Sequence, residues 1–233
     1  MSAYRAVLFD FFGTLTLSVR RGPAHTAVAK ALGCDPDALV EVLDRSFYDR
    51  ARGTYGSAEQ TLRWLAEQVG VRPTPRTLRV ALDARRTAMR ADTTLRSDAV
   101  PTLRALRHRG LRTAVVSDCT HELPEFLPTM PVAGQLDACA YSVEIGQCKP
   151  HHAIYLEACV RVGVPPSECL YVGDGGSREL TGAAEIGMTA VRLTAPDLSH
   201  HLVFNAESDW SGPAVTALSE LIRLVDRTPA PVG

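Results

Sequence analysis

An α/β fold, a doubly wound parallel sheet with an inserted helical unit, is predicted by three observations. Short apolar runs end in polar residues, helical periodicity fills the gaps between most of them, and one long early stretch carries helix punctuation without a strand run. The first run is AVLFD (6–10), of strand length and closed by an acid.

From about residue 17 to about 92 the pattern changes. Pro23 opens a helical segment that Gly33 closes, and Asp35 with Pro36 supplies an N-cap and first helical residue, with Leu39, Leu43 and Phe47 on one face. Ser57 and Gln60 form a capping box ahead of Leu62, Leu65 and Val69, ending at Gly70; Thr74 and Pro75 open a fourth helix through Leu78 and Leu82. The reading is a helical cap, 17–92, inserted after the first strand of a Rossmann-like core formed by 1–16 and 93–233.

Within the core, Val100, Leu103 and Leu106 mark a helix before Gly110, and TAVVSD (113–118) is the second confident strand run. ACAYSVEI (138–145) is a further strand candidate, followed by a helix from Ile154 to Val162. CLYVGD (169–174), a helix from Leu180 to Ile186 stopped by Gly187, and TAVRLT (189–194) complete the alternation. The terminal TPAPVG (228–233) reads as a loose tail.

Across 233 residues, 25 basic and 26 acidic side chains nearly cancel, which argues against a generally basic surface for nucleic acid or an anionic membrane. There is no run of 18 apolar residues, and the start MSAYRAVLFDFF lacks the features of a secretory signal, so a soluble cytoplasmic protein is expected. Cys34, Cys119, Cys139, Cys148, Cys159 and Cys169 form no CxxC pair and read as buried thiols rather than a zinc site. Only two basic residues are lysines, Lys30 and Lys149. In a chain that uses arginine by default, each lysine calls for a reason.

Ligands of an open parallel sheet bind beyond the carboxyl ends of its strands. Asp10, Ser117 with Asp118, and Asp174 all stand there, and acids after buried strands are costly unless paired, hydrogen-bonded or metal-bound. Asp10 and Asp174, converging with space between them, suit Mg²⁺, a hard ion that takes oxygen ligands and leaves room for a substrate phosphate. Gly13, Gly173, Gly175 and Gly176 let backbone approach closely. Lys149, in QCKPHH, is the point charge that would balance carboxylate and phosphoryl oxygens, whereas Lys30 is expected on the surface.

FDFFGTLT, VVSDC, CKP and VGDGGSREL, in that order and spacing, resemble the four motifs of the haloacid dehalogenase-like superfamily, with the helical segment where its C1 caps are inserted. The resemblance implies a nucleophile at Asp10, phosphoryl binding by Ser117, orientation of the nucleophile by Lys149, Mg²⁺ binding by Asp174 and the Phe12 carbonyl, and support of the metal site by Glu179. Phe12, Gly13, Thr14 and Asp118 are also expected against a small-molecule substrate, with Ser117 and Lys149. Glu179 stands where Asp is commoner.

Phe12 is the departure. Phosphatases of the superfamily usually carry a second Asp there, to protonate the leaving group and later activate water; general acid–base help of this kind is worth about 10² to 10⁴ in rate. The resemblance therefore implies a Mg²⁺-dependent phosphohydrolase with weakened acid–base catalysis. Phe12 also points to 2-haloacid dehalogenases, and a catalytically weak binding relative is a third reading. Candidate replacement donors are His25, Tyr55 and Glu59, and Arg20 with Arg21 are candidates for a second anionic group. Cys119 and Cys148 flank site residues and are candidates for oxidation. His151, His152, His200 and His201 read as loop or helix-start residues.

Overall fold

The computed structural model describes residues 4–226. Its sheet has six strands, all parallel: β1 (Ala6–Phe9), β2 (Arg112–Ser117), β3 (Ala138–Tyr141), β4 (Cys169–Gly173), β5 (Thr189–Leu193) and β6 (Ala214–Val215), in the order β3-β2-β1-β4-β5-β6. The strand order reverses at β1, so the crevice between the carboxyl ends of β1 and β4 is the switch point.

Alternation along β1 divides the core. Val7 and Phe9 face a layer that includes Leu103 and Leu106 of a helix over Ala99–His108; Ala6 and Leu8 face Ile154, Tyr155 and Ala158 of a helix over His152–Val162. The acids that close the sequence runs lie just beyond the strands. The 138–145 run is strand only to Tyr141, which pairs with Ser117 at the end of β2. There the Ser142 hydroxyl takes the Cys119 N–H at 2.9 Å and the chain turns into a helical turn over Ser142–Ile145. β6 is too short to leave an apolar run in the sequence.

Between residues 17 and 92 lie five α-helices: α1 (Thr26–Leu32), α2 (Pro36–Arg45), α3 (Phe47–Ala51), α4 (Ala58–Gln68) and α5 (Pro75–Ala91). The caps are those read from the sequence. Asp35 accepts from the Ala38 N–H, Ser57 and Gln60 exchange both bonds of the capping box, and Thr74 accepts from the Thr77 N–H. Val28, Leu39, Leu43, Leu62, Leu65 and Leu78 belong to an apolar cluster distinct from those of the sheet. Phe47 is a correction: Ser46 ends α2, so Phe47 leaves the Leu39–Leu43 face and stacks on Phe204 at 4.2 Å.

The helical insertion is entered and left side by side. Thr16 bridges Leu95, and the Leu17 N–H donates to the Thr94 carbonyl at 2.8 Å. Arg96 clamps the turn after β1 by donating to the Gly13 and Thr14 carbonyls while pairing with Asp197. The tail segment 228–233 lies outside the described residues. Among the described residues, no helix is long and apolar enough to cross a membrane.

Candidate active site

Phe9 and Val172 are register partners on adjacent strands, so Asp10 and Asp174 leave the sheet close together at its carboxyl edge. Lys149 reaches the same point from the segment before the His152–Val162 helix. Its ammonium donates to Asp10 Oδ1 at 2.6 Å, Glu179 Oε2 at 2.5 Å and the Tyr171 hydroxyl at 3.4 Å, and its backbone N–H donates to Asp118 Oδ1 at 2.9 Å. Burial opposes the ammonium charge, but Asp10 and Glu179 outweigh it and hold Lys149 well above the ordinary lysine range.

Glu179 is fully buried and both its oxygens are engaged. Oε2 accepts from Lys149 and from the Tyr171 hydroxyl at 2.7 Å; Oε1 accepts the Gly175 N–H at 3.0 Å. Its reach is possible because residue 173 is glycine: a Cβ there would overlap the Glu179 carboxylate.

Carboxylate oxygens of Asp10, Asp174 and Glu179 lie within 4.8 Å of one another. Burial, with Glu179 adding to it and Lys149 opposing it, pushes the Asp10 carboxyl up to about 7. Asp174 is pushed well above the carboxylate range by burial and then by Glu179 and Asp10. Asp10 Oδ2 is buried without a hydrogen-bond partner. An orphaned oxygen facing a second repelled carboxylate is a donor set that a hard divalent cation satisfies. Asp10 and Asp174 therefore fit a magnesium-like ion, with Glu179 held behind them by Lys149.

Around these groups is a cavity of about 140 Å³, the scale that admits a benzene-sized molecule. Asp10, Asp118, Lys149 and Asp174 line it from the sheet, while Arg21, His25, Arg50 and Arg85 line it from the helical insertion. The insertion closes on the core through the Phe47–Phe204 stack, a 3.2 Å hydrogen bond between the Tyr48 and Ser177 hydroxyls, and a buried ion pair between Arg85 and Glu122.

The family model described as haloacid dehalogenase-like hydrolase matches residues 4–187. This chain belongs to the haloacid dehalogenase-like hydrolases. The glyceraldehyde 3-phosphate phosphatase of Methanopyrus kandleri is 31% identical over 195 residues, covering 81% of this chain and 83% of that protein. (S)-2-haloacid dehalogenase 1 of a Pseudomonas species is 32% identical over 131 residues, 56% of each chain. In fold, this hydrolase resembles the solved L-2-haloacid dehalogenase of Xanthobacter autotrophicus, with a TM-score of 0.66 at 21% identity over 97% of this chain and 100% of that one.

Other residues read from the sequence fall variously in this hydrolase. Phe12 lines the cavity edge-on to Phe11. Ser117 and Thr14 are fully buried with unpartnered hydroxyls, and Asp118 Oδ2 is likewise unpartnered. Gly13, at φ 85°, packs where a Cβ would stand 2.6 Å from His201 Nε2. Arg20 is a correction, being exposed and outside the cavity lining: in the extended segment, Val19 and Arg21 face inward and Arg20 faces out. Arg21 reaches the cavity but is paired with Asp44.

Tyr55 and Glu59 are not in the cavity lining. Tyr55 stacks on Trp64 at 3.8 Å, and Glu59 pairs with Arg63 on the surface. His25 does line it, with Nε2 2.9 Å from Asp92 Oδ2 and a buried, unpartnered Nδ1. His201 is the larger correction. Its Nδ1 accepts the Val19 N–H at 2.8 Å, which leaves the proton of the neutral ring on Nε2, 3.5 Å from Asp174 Oδ2. His151 caps a helix, while His152 and His200 are exposed, as read. Burial pushes both thiols up, Cys119 well above the usual range and Cys148 to about 12, which makes them poor nucleophiles.

Sequence reasoning missed Arg50 and Arg85. The signal was present in their spacing: Arg85 follows Leu78 and Ala81 on the buried face of α5, and Arg50 lies one turn beyond buried Ser46.

Proposed function

We propose that this hydrolase is a Mg²⁺-dependent phosphohydrolase of a small phosphorylated metabolite, acting through an aspartyl-phosphate on Asp10, with residues 17–92 serving as its cap. The observation that carries the reading is the retained Asp174 facing an Asp10 whose second oxygen is orphaned. A buried acid there is expensive without a cation, while Phe12 costs little. The phosphatase of Methanopyrus kandleri, similar over most of both chains, supports the same branch.

In this reading Asp10, Asp174 and the Phe12 carbonyl hold the metal, which would supply positive charge against the phosphoryl oxygens. With Asp10 Oδ2, free of protein hydrogen bonds, turned to the metal, Oδ1 is the attacking oxygen; Lys149, which donates to Oδ1, favours the ionised carboxylate and aims it. The unpartnered Ser117 hydroxyl donates to a phosphoryl oxygen. Phe12 donates no proton, so leaving groups that depart without one are preferred, and the aspartyl-phosphate lingers. Acid-quenched protein incubated with acetyl phosphate and Mg²⁺ should carry phosphate on the Asp10 peptide by mass spectrometry; an unmodified Asp10 under turnover conditions would refute the mechanism.

A second reading has one observation behind it. Phe12, Phe47, Met89, Val203 and Phe204 give the cavity apolar sides that suit attack of Asp10 on carbon. Halide release from a 2-haloacid in the presence of a chelator tests it.

A further inference from the structure

Arg50 is 3% exposed, yet its hydrogen bonds go only to neutral groups: the Leu43 carbonyl at 2.7 Å and the Ser46 hydroxyl at 3.0 Å. Among the described residues no carboxylate lies within ion-pair distance of it. The other two guanidinia of the cavity wall are neutralised, Arg21 by Asp44 and Arg85 by Glu122. A buried charge without a counter-ion is costly, and an arginine presents a planar fork of five donors that neutral partners do not exhaust. Burial, and then the nearby charge of Arg85, brings its pKa down to about 9. Arg50 also lines, from the helical insertion, the cavity that Asp10 and Lys149 line from the sheet.

Resting on the phosphohydrolase reading, we propose that Arg50 binds a second oxyanion on the substrate, a carboxylate or a further phosphate, at the end remote from the transferred phosphoryl group. The acids on the cavity wall are otherwise committed: Asp92 pairs with His25, and Asp10, Asp118 and Asp174 belong to the catalytic end. A molecule that is anionic at both ends thus finds Lys149 with its metal-binding carboxylates at one end and an unpaired guanidinium at the other. Arg50, without a counter-ion, then selects for the second charge, because its desolvation is already complete before the ligand arrives.

The test compares phenyl phosphate with carboxyphenyl phosphate and phenylene bisphosphate, together with the matched non-hydrolysable pair benzylphosphonate and carboxybenzylphosphonate in equilibrium dialysis. Wild-type protein should favour at least one doubly anionic ester by about tenfold or more in kcat/KM, expressed in KM, as a charge-assisted hydrogen bond provides. The two esters separate carboxylate from phosphate as the preferred group. In Arg50→Met the ratio should fall to near one, and in Arg50→Lys it should be intermediate, which also serves if Arg50→Met does not fold. No preference in wild type, or a preference that survives both substitutions, overturns the assignment. If no ester is hydrolysed but carboxybenzylphosphonate binds more tightly in an Arg50-dependent manner, the phosphohydrolase reading falls and the anion site stands; hydrolysis without preference gives the reverse.

Discussion

Glu179 occupies the space that a side chain at Gly173 would fill. The pair explains two features of VGDGGSREL at once. A glutamate is one methylene longer than the commoner aspartate, and its carboxylate reaches Lys149, Tyr171 and the Gly175 amide only over a residue without a Cβ. Gly173→Ser should therefore cost about 1–3 kcal/mol by overpacking and lower turnover by displacing the partner of Lys149. Adding Glu179→Asp should recover part of both losses, and a thermodynamic cycle on chemical unfolding and kcat reads the coupling. Additive losses would show that the two positions are independent.

Lys149→Arg should lower kcat by at least about 10²-fold, because a planar fork cannot sit as a point charge between Asp10, Glu179 and the Tyr171 hydroxyl. Lys30, exposed on α1, has no comparable position, and Lys30→Arg should change neither kcat nor unfolding by more than about 0.5 kcal/mol. Steady-state kinetics and urea titration of the two variants side by side check the contrast.

Asp10 and Asp174 both titrate higher in the fold than in the unfolded chain, so their neutral forms favour folding. That contribution is complete below the ordinary carboxylate range and is lost as pH rises, through about 7 in the case of Asp10. Asp174→Asn should therefore raise the Tm of metal-free protein at about pH 8, by about 2–4 °C for each kcal/mol of repulsion relieved. The gain should shrink toward about pH 5, where the wild-type carboxyls are protonated. Mg²⁺ should raise the wild-type Tm at the alkaline end and leave Asp174→Asn nearly unmoved. Calorimetry at two pH values, with and without Mg²⁺, measures all four quantities.

Glu122 is the counter-charge that joins the helical insertion to the core. Burial opposes its ionisation, but Arg85 and the Thr120 hydroxyl outweigh it and hold the carboxyl down at about 2. Its stabilising effect is present above the ordinary glutamate range and is lost as pH falls through that value. Glu122→Gln should cost about 3–5 kcal/mol, because it leaves Arg85 buried and unpaired. Denaturant unfolding at neutral pH gives the figure.

The strands and helix caps were legible because each is written locally: Asp35, Ser57–Gln60 and Thr74 cap the helices that follow them. Asp10 and Asp174 were legible because they are acids that follow apolar runs, and Lys149 because it is one of only two lysines among 25 basic residues. What the sequence hid was set by tertiary closure. His201 reaches Asp174 only because the chain returns over the sheet edge, with Leu202 N–H donating to the Val19 carbonyl at 2.9 Å. Arg50 looks like any surface arginine until Ser46 breaks α2 and turns α3 into the cavity. Phe47 was misplaced by the same break.

The central claim, a phosphohydrolase whose acid–base step is weakened by Phe12, is tested most directly by the ratio of kcat for an aryl phosphate to that for an alkyl phosphate of similar size, with and without Mg²⁺. The account predicts Mg²⁺-dependent turnover that favours the aryl ester by about 10²-fold or more, with Phe12→Asp raising the alkyl rate and narrowing the ratio. Equal and fast rates on both esters in the wild-type protein would contradict it.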